Sequence, residues 1–246
     1  MSIFEFPVSF SLDKHPVVAS RFSGYNKRKI HTKNQEGAMK KDPFFHCYEE
    51  MKMCGRYYID SDMADEIQQV VREVDQRIRK TQFTGDIHPT ESAPVIEKSE
   101  NGLKLSMCKW GYPLSKRKSL VINARVESVM DKASFRNGIL YHRVLIPASG
   151  FYEWNWLKEK NTFTRPDARV LYMAGFCDWF ENERRFVILT TKANASMKKV
   201  HERMPLILEK EQIVDWFQNE KMEKLLQYTP IMLKREAEYE QQSLFL

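Results

Sequence analysis

Five short segments of the chain carry residues that could do chemistry. They are Met53-Cys54-Gly55-Arg56, Trp110-Gly111, Asn123-Ala124-Arg125-Val126-Glu127, the run from Ile146 to Trp154, and His201-Glu202-Arg203-Met204-Pro205. None has the spacing of a metal site, because the sequence contains neither CxxC nor HExxH and its four cysteines are far apart. The residue types point instead to nucleophilic, acid–base or anion-binding chemistry.

Four residues are candidates for the catalytic steps. Cys54 has Arg56 nearby, which could lower the thiol pKa and make it nucleophilic, although a lone cysteine is more often a small buried residue. Glu153 lies between two aromatic residues, where desolvation would raise its pKa and suit it to acid–base work; a surface position on a strand is the alternative. His201 could shuttle protons or fill a structural role. Asn123 could orient a substrate or close a turn.

Three further residues are candidates for binding a nucleic acid. Trp110 could be a stacking platform for a base, and a core tryptophan is the ordinary alternative. Arg125 and Arg203 could grip phosphates, or could pair with the acidic residues beside them, Glu127 and Glu202. The formal net charge of +6 and the pI near 9.0 permit a polyanionic partner without requiring one.

Composition predicts a folded protein in a reducing compartment. Of its 246 residues, 42% are apolar and 29% are charged, so most of the chain should fold. No run approaches the ~20 apolar residues that a membrane-spanning helix needs. Four scattered cysteines do not make a disulfide framework, which favours the cytoplasm.

The hydrophobic pattern predicts a mixed, strand-rich α+β domain with flanking helices. A first helix is expected from about residue 60, capped by Ser61 or Asp62, with apolar residues at helical spacing as far as Ile78. Apolar and aromatic runs between residues 103 and 191 predict several strands. Asn194 is expected to cap a short helix through Val200, and a longer helix is expected from about Lys210 to Gln227. The order lacks the βαβ alternation of a doubly wound fold.

The first 52 residues read differently from the domain at 53–246. Apart from a short alternating stretch near the start they show no sustained period, and they lack the features of a signal peptide. We expect this extension to be a wrongly assigned start or a removed propeptide; a flexible basic tail is the plain alternative.

The five segments, in this order, resemble the SOS-response-associated peptidase (SRAP) family of abasic-site processing proteins. The resemblance runs from Met53 to about Leu208. In that family the cysteine follows the initiator methionine, so methionine removal leaves it N-terminal. The resemblance therefore implies that Cys54 carries a free α-amine beside its thiol, and that the pair forms a thiazolidine with the aldehyde of a ring-opened abasic site.

The resemblance also implies a role for each matching residue. Asn123 would position the N-terminal residue, Glu153 would shuttle protons during imine formation, and His201 would assist sugar ring opening. The residues expected to contact DNA are Arg56, Trp110, Arg125 and Arg203. The implied partner is single-stranded DNA that contains abasic sites, without cofactor, metal or membrane, bound by a monomeric cytoplasmic protein that associates with the nucleoid on DNA.

Two departures from the family pattern matter. "IHPTESAP" stands where many members have Asn-x-Ala-Pro. More seriously, an attached extension would leave Cys54 with an amide nitrogen instead of an amine. Translation from Met53, self-cleavage of a propeptide, and an inactive protein that still binds DNA remain as explanations.

Two other functions stay open at this point. One is a peptidase built from Cys54, His201 and Glu153, which would process its own N-terminus or other chains. The other is a non-catalytic protein that binds single strands.

Overall fold

The computed structural model describes residues 55–71, 73–74, 84–113 and 120–238. Cys54, the preceding extension and Ile78 lie outside these ranges. The helices are α1 (Ser61–Val70), α2 (Ala133–Tyr141), α3 (Ile213–Trp216) and α4 (Asn219–Leu226), with 3₁₀ turns at Val126–Ser128 and Lys210–Gln212. The strands are β1 (Tyr57–Ile59), β2 (Glu73–Val74), β3 (Gly85–Ile87), β4 (Ser92–Ser99), β5 (Gly102–Trp110), β6 (Tyr112–Pro113), β7 (Leu120–Val121), β8 (Asn123–Arg125), β9 (Arg143–Ala148), β10 (Gly150–Trp154), β11 (Lys160–Thr164), β12 (Leu171–Phe180), β13 (Glu183–Lys192), β14 (Arg203–Pro205), β15 (Ile207–Leu208) and β16 (Lys234–Ala237).

The larger sheet closes on itself as a small barrel. Its strands run in the order β13-β12-β9-β4-β5, and β5 pairs again with β13 in parallel, through Trp110 and Phe186. Beyond that point β13 exchanges β5 for β8 on one edge, and β14 pairs with its last residues. The interior is filled by aliphatic and aromatic side chains of these strands, as expected for a barrel of this size.

The smaller sheet, in the order β16-β11-β10-β1-β3, positions the segment that follows Cys54. Strand β1 lies antiparallel to β10, with Tyr57 opposite Phe151 and Tyr58 opposite Gly150. Gly150 is needed at this crossing, because a Cβ there would lie 2.7 Å from the ring of Tyr58 and 2.8 Å from the carbonyl oxygen of Phe163.

The mixed α+β class expected from the sequence is confirmed, but the helix boundaries differ. Helix α1 ends at Val70, Val71 is extended, and Val74 pairs with Leu105 in the barrel sheet, so strand pairing overrides the helical spacing there. The prediction of one helix at 210–227 is wrong. It is divided into a 3₁₀ turn, α3 and α4, because the carbonyl oxygen of Trp216 accepts a hydrogen bond from the buried Arg143 guanidinium at 2.7 Å.

The short helix predicted after Asn194 is also absent, since residues 195–200 form turns in the structure. The Asn194 side chain accepts a hydrogen bond from the Ser196 N–H and donates to the carbonyl oxygens of Pro230 and Ile231. It therefore ties two loops together instead of starting a helix. In the described part of the chain, no helix is both long and apolar enough to cross a membrane.

We predict that Gly150→Ala destabilises the fold by about 1–3 kcal/mol, because the added methyl group must displace backbone as well as the Tyr58 ring. The measurement is the free energy of unfolding in urea. Ser134→Thr, which adds a methyl group at an exposed position of α2, is the matched control and should change it by less than ~0.5 kcal/mol. Equal stabilities of the two variants would contradict the packing described for β1 and β10.

Candidate functional site

The end of β10 places a buried carboxylate beside the residues that follow Cys54. Glu153 is buried, although acidic side chains rarely are, and its neighbours Tyr152 and Trp154 point to the opposite, outer face of the sheet. The Tyr152 N–H donates to the carbonyl oxygen of Arg56 at 3.0 Å, which continues the pairing of β1 with β10 by one residue. Gly55 and Arg56 therefore lead directly to the Glu153 end of β10.

Arg56 lies on the outer face of this sheet and is held there by two contacts. Its guanidinium is 3.6 Å from an Asp86 carboxylate oxygen and 5.6 Å from the centroid of the Trp154 ring. The side chain keeps about a third of its surface exposed, so an anionic group in solution can approach it. Asp86 also accepts a hydrogen bond from the Tyr152 hydroxyl at 3.1 Å, which couples the two strands.

A second group of polar residues lies where the pairing of β13 with β5 ends and its pairing with β8 begins. Strand β8 is parallel to β13 here, with Asn123 opposite Ile188 and Arg125 opposite Thr190. Asn123 is half-buried, whereas Arg125 is exposed. This part of the sheet therefore carries a sheltered amide and a solvent-facing cation two residues apart.

His201 follows the turns after β13 and is held in one tautomer. Its Nδ1 accepts a hydrogen bond from the Arg203 N–H at 2.9 Å, so the neutral ring must carry its proton on Nε2. Burial lowers the pKa of His201 below its ordinary value of 6.5. At neutral pH this side chain is therefore an uncharged hydrogen-bond donor through Nε2.

The Arg203 guanidinium is bound within the protein. It donates to both carboxylate oxygens of Glu127, at 2.6 and 2.8 Å, and to the carbonyl oxygen of Thr190 at 2.6 Å. The hydrogen bonds from Arg203 lower the pKa of the Glu127 carboxyl. The alternative noted above, pairing with Glu127, is thus what the structure contains; a phosphate contact by Arg203 stays a prediction, as it does for Arg125.

The prediction that Trp110 stacks on DNA is wrong for a direct contact, because the side chain is completely buried. Its Nε1–H donates to the carbonyl oxygen of Ile122 at 3.0 Å. Its ring centroid lies 5.2 Å from that of Tyr57 and 6.0 Å from that of Phe186. Trp110 thus connects β1, which follows Cys54, to the residue that precedes Asn123.

Sequence reasoning missed Thr190 and Asp86. Thr190 lies opposite Arg125 in the sheet and accepts the Arg203 hydrogen bond, and Asp86 anchors Arg56. Neither lies in one of the five segments, so only the strand pairing could have revealed them. In the ranges that the structure describes, no group of three or more His, Cys, Asp or Glu side chains is arranged to hold a metal ion.

The family model described as "SOS response associated peptidase (SRAP)" matches residues 53–242. The chain belongs to this family. Among its relatives is "Abasic site processing protein YoqW" of Bacillus subtilis (strain 168), 30% identical over 180 residues, 67% of this chain and 80% of the relative. "Abasic site processing protein YedK" of Escherichia coli (strain K12) is 25% identical over 179 residues, 68% of this chain and 81% of the relative.

Solved structures show that the SRAP chain shares its fold with two proteins of low sequence identity. A protein from Bordetella bronchiseptica aligns with a TM-score of 0.63 at 22% identity, covering 75% of this chain and 99% of that one. A protein from Bacteroides thetaiotaomicron aligns with a TM-score of 0.63 at 20% identity, covering 75% and 91%. The barrel with its flanking sheet is therefore the SRAP-type fold.

For this SRAP protein we predict that His201 is the Nε2–H tautomer at pH 7 and titrates below 6.5. Because its pKa is lowered in the folded state, its contribution to stability is complete above 6.5 and is lost as the pH falls through the folded value. The measurement is ¹⁵N NMR of the histidine rings, with His201→Gln for assignment. An Nδ1–H tautomer, or a midpoint above 6.5, would contradict the site geometry.

We further predict that Trp110→Phe lowers the free energy of unfolding by about 1–3 kcal/mol, through the lost hydrogen bond to Ile122 and the cavity left by the smaller ring. Trp179→Phe, at a side chain that is 61% exposed, is the control and should have little effect. Both are measured by urea unfolding. If the two variants lowered the free energy of unfolding equally, the buried indole would not be what connects β1 to the segment before Asn123.

Proposed function

We propose that this protein processes abasic sites in DNA, and that it does so by covalent crosslinking through Cys54 as the N-terminal residue. The coarse activity is supported by membership of the SRAP family and by relatives named abasic site processing proteins. One observation carries the finer mechanism: the pairing of β1 with β10 leads the residues after Cys54 to the buried carboxylate of Glu153.

The chemistry follows from an amine and a thiol on one residue. The α-amine attacks the aldehyde of the ring-opened sugar, and loss of one water gives an imine. The thiol sulfur then bonds to the imine carbon while its proton passes to the nitrogen, which closes a five-membered thiazolidine. Ring closure removes the imine that would otherwise promote strand cleavage, so the lesion is shielded instead of cut.

The described residues fit the proton transfers that these steps require. His201 offers Nε2–H, which suits donation to the ring oxygen as the sugar opens. Glu153 is buried next to the segment that follows the amine, where a carboxyl group can move protons during imine formation. Asn123, sheltered on β8, would position the N-terminal residue, and Arg56 and Arg125 would contact phosphates.

Single-stranded DNA is the proposed substrate, bound by a monomer that associates with the nucleoid only while on DNA. The activity falls in the lyase class. Peptidase activity remains a second proposal only in one form, removal of the protein's own extension at Met53–Cys54. Translation from Met53 is the simpler proposal, and the match of the family model from residue 53 supports it.

The test uses single-stranded DNA in which uracil glycosylase has converted one uracil to an abasic site. A chain that begins at Met53 and loses its methionine should form an adduct that survives denaturation. Cys54→Ser should form no stable adduct, because an imine alone is reversible, and DNA with thymine in place of uracil should give none. An equally stable adduct with Cys54→Ser would rule out the thiazolidine.

The full-length chain is the matched control for the free amine. If residues 1–53 stay attached, no crosslink should form, and intact-mass measurement shows whether they do. Protein isolated from its native host should have the mass of a chain that starts at Cys54. An intact 29.2 kDa chain that crosslinks as fast as the shorter one would overturn the proposal.

A further inference from the structure

The turn formed by residues 155–159, between β10 and β11, carries an exposed aromatic tip. Seven large apolar side chains are exposed in the described ranges, and three of them lie within four consecutive residues: Trp154 (37%), Trp156 (85%) and Leu157 (53%). Single exposed apolar residues need no explanation, whereas clustered ones are a feature of interaction sites. None of the five sequence segments includes Trp156 or Leu157.

The 155–159 turn is held in one conformation by Asn155. The Asn155 Oδ1 accepts hydrogen bonds from the N–H groups of Leu157 and Glu159, at 3.0 and 2.9 Å. Its backbone N–H donates to the Glu159 carbonyl oxygen at 3.1 Å, and its Nδ2 donates to the Glu159 carboxylate at 2.6 Å. The conformation of the turn is therefore fixed before any ligand binds, which lowers the entropy cost of binding.

Cations lie beside the aromatic rings on this outer face. Lys160 Nζ is 4.2 Å from the centroid of the Tyr152 ring, Arg56 lies over Trp154, and Lys158 is exposed at the tip itself. Near the turn, Asp86 is paired with Arg56 and Glu159 is bonded to Asn155. Asp60 and Glu236 lie further along the same sheet, close to the stacked rings of Tyr58 and Tyr152. Aromatic faces interleaved with Lys and Arg suit a single-stranded nucleic acid, whose bases stack and whose phosphates are anionic.

The tip is close in sequence to the candidate acid–base residue. Trp156 lies in the turn three residues beyond Glu153, so the chain between them can span at most about 10 Å. We propose that the 155–159 turn is a stacking finger, in which Trp156 stacks on an unpaired nucleobase that neighbours the abasic site while Lys158 and Lys160 face the backbone. This inference rests on the proposed function and adds a residue that positions the lesion at Cys54.

The test measures the apparent second-order rate constant of crosslinking at limiting DNA, for a chain that begins at Met53. Trp156→Ala should lower it about 5- to 100-fold, the cost of one lost base–aromatic stack. Trp156→Phe should restore most of the loss. Trp179→Ala, an exposed tryptophan on the β12–β13 hairpin, is the matched control and should be unaffected.

A second set of oligonucleotides replaces the nucleotides on either side of the abasic site by tetrahydrofuran residues, which have no base. The crosslinking rate constant of the wild type should fall on these strands, and Trp156→Ala should cause no further decrease. The inference is overturned if Trp156→Ala matches wild type on normal strands, as a turn that binds a protein partner would. It is also overturned if the loss persists without neighbouring bases. Failure of wild type to crosslink any strand would instead reject the proposed function.

Discussion

The arrangement of the site depends on the buried indole of Trp110. This residue ends β5 at the point where the barrel closes against β13. Its indole N–H donates a hydrogen bond to the carbonyl oxygen of Ile122. The same carbonyl oxygen accepts a hydrogen bond from the Ile188 N–H of β13. With its ring against Tyr57, Trp110 fixes the start of β1 relative to the start of β8. The spacing between the segment that follows Cys54 and Asn123 is therefore set by the core, not by a loop.

Hydrogen bonds and ion pairs within the protein also orient the charged groups near Trp110. Glu127 holds the Arg203 guanidinium, and the Arg203 N–H in turn selects the tautomer of His201. Asp86 and Trp154 hold Arg56 on the outer face of the smaller sheet. Dipoles and charges that are oriented before the substrate arrives need little reorganisation when charge develops, which is the most effective way for a protein to stabilise a reacting group.

The sequence was sufficient for the fold class and for the family, because the residue types and the order of the five segments are specific. It failed where tertiary contacts decide. The ring of Trp110 could be assigned to DNA or to the core with equal reason until its burial was known. The break between α3 and α4 arises from Arg143, seventy residues away, which no helical pattern reveals. Thr190 was missed because a backbone carbonyl oxygen, the group it offers Arg203, has no sequence signal.

The pairing of β1 with β10 has a consequence for the order of events during synthesis. The Asp60 N–H donates to the Ser149 hydroxyl across 89 residues of chain, so β1 can pair with β3 early but gains β10 as a partner only after that much more protein has been made. At 5–20 residues per second this delay is about 5–20 s. In the proposed chain that starts at Met53, an aminopeptidase therefore has this interval in which to act before β10 is in place. If the proposed mechanism holds, late pairing with β10 places the removal of Met53 before completion of the sheet that carries Glu153.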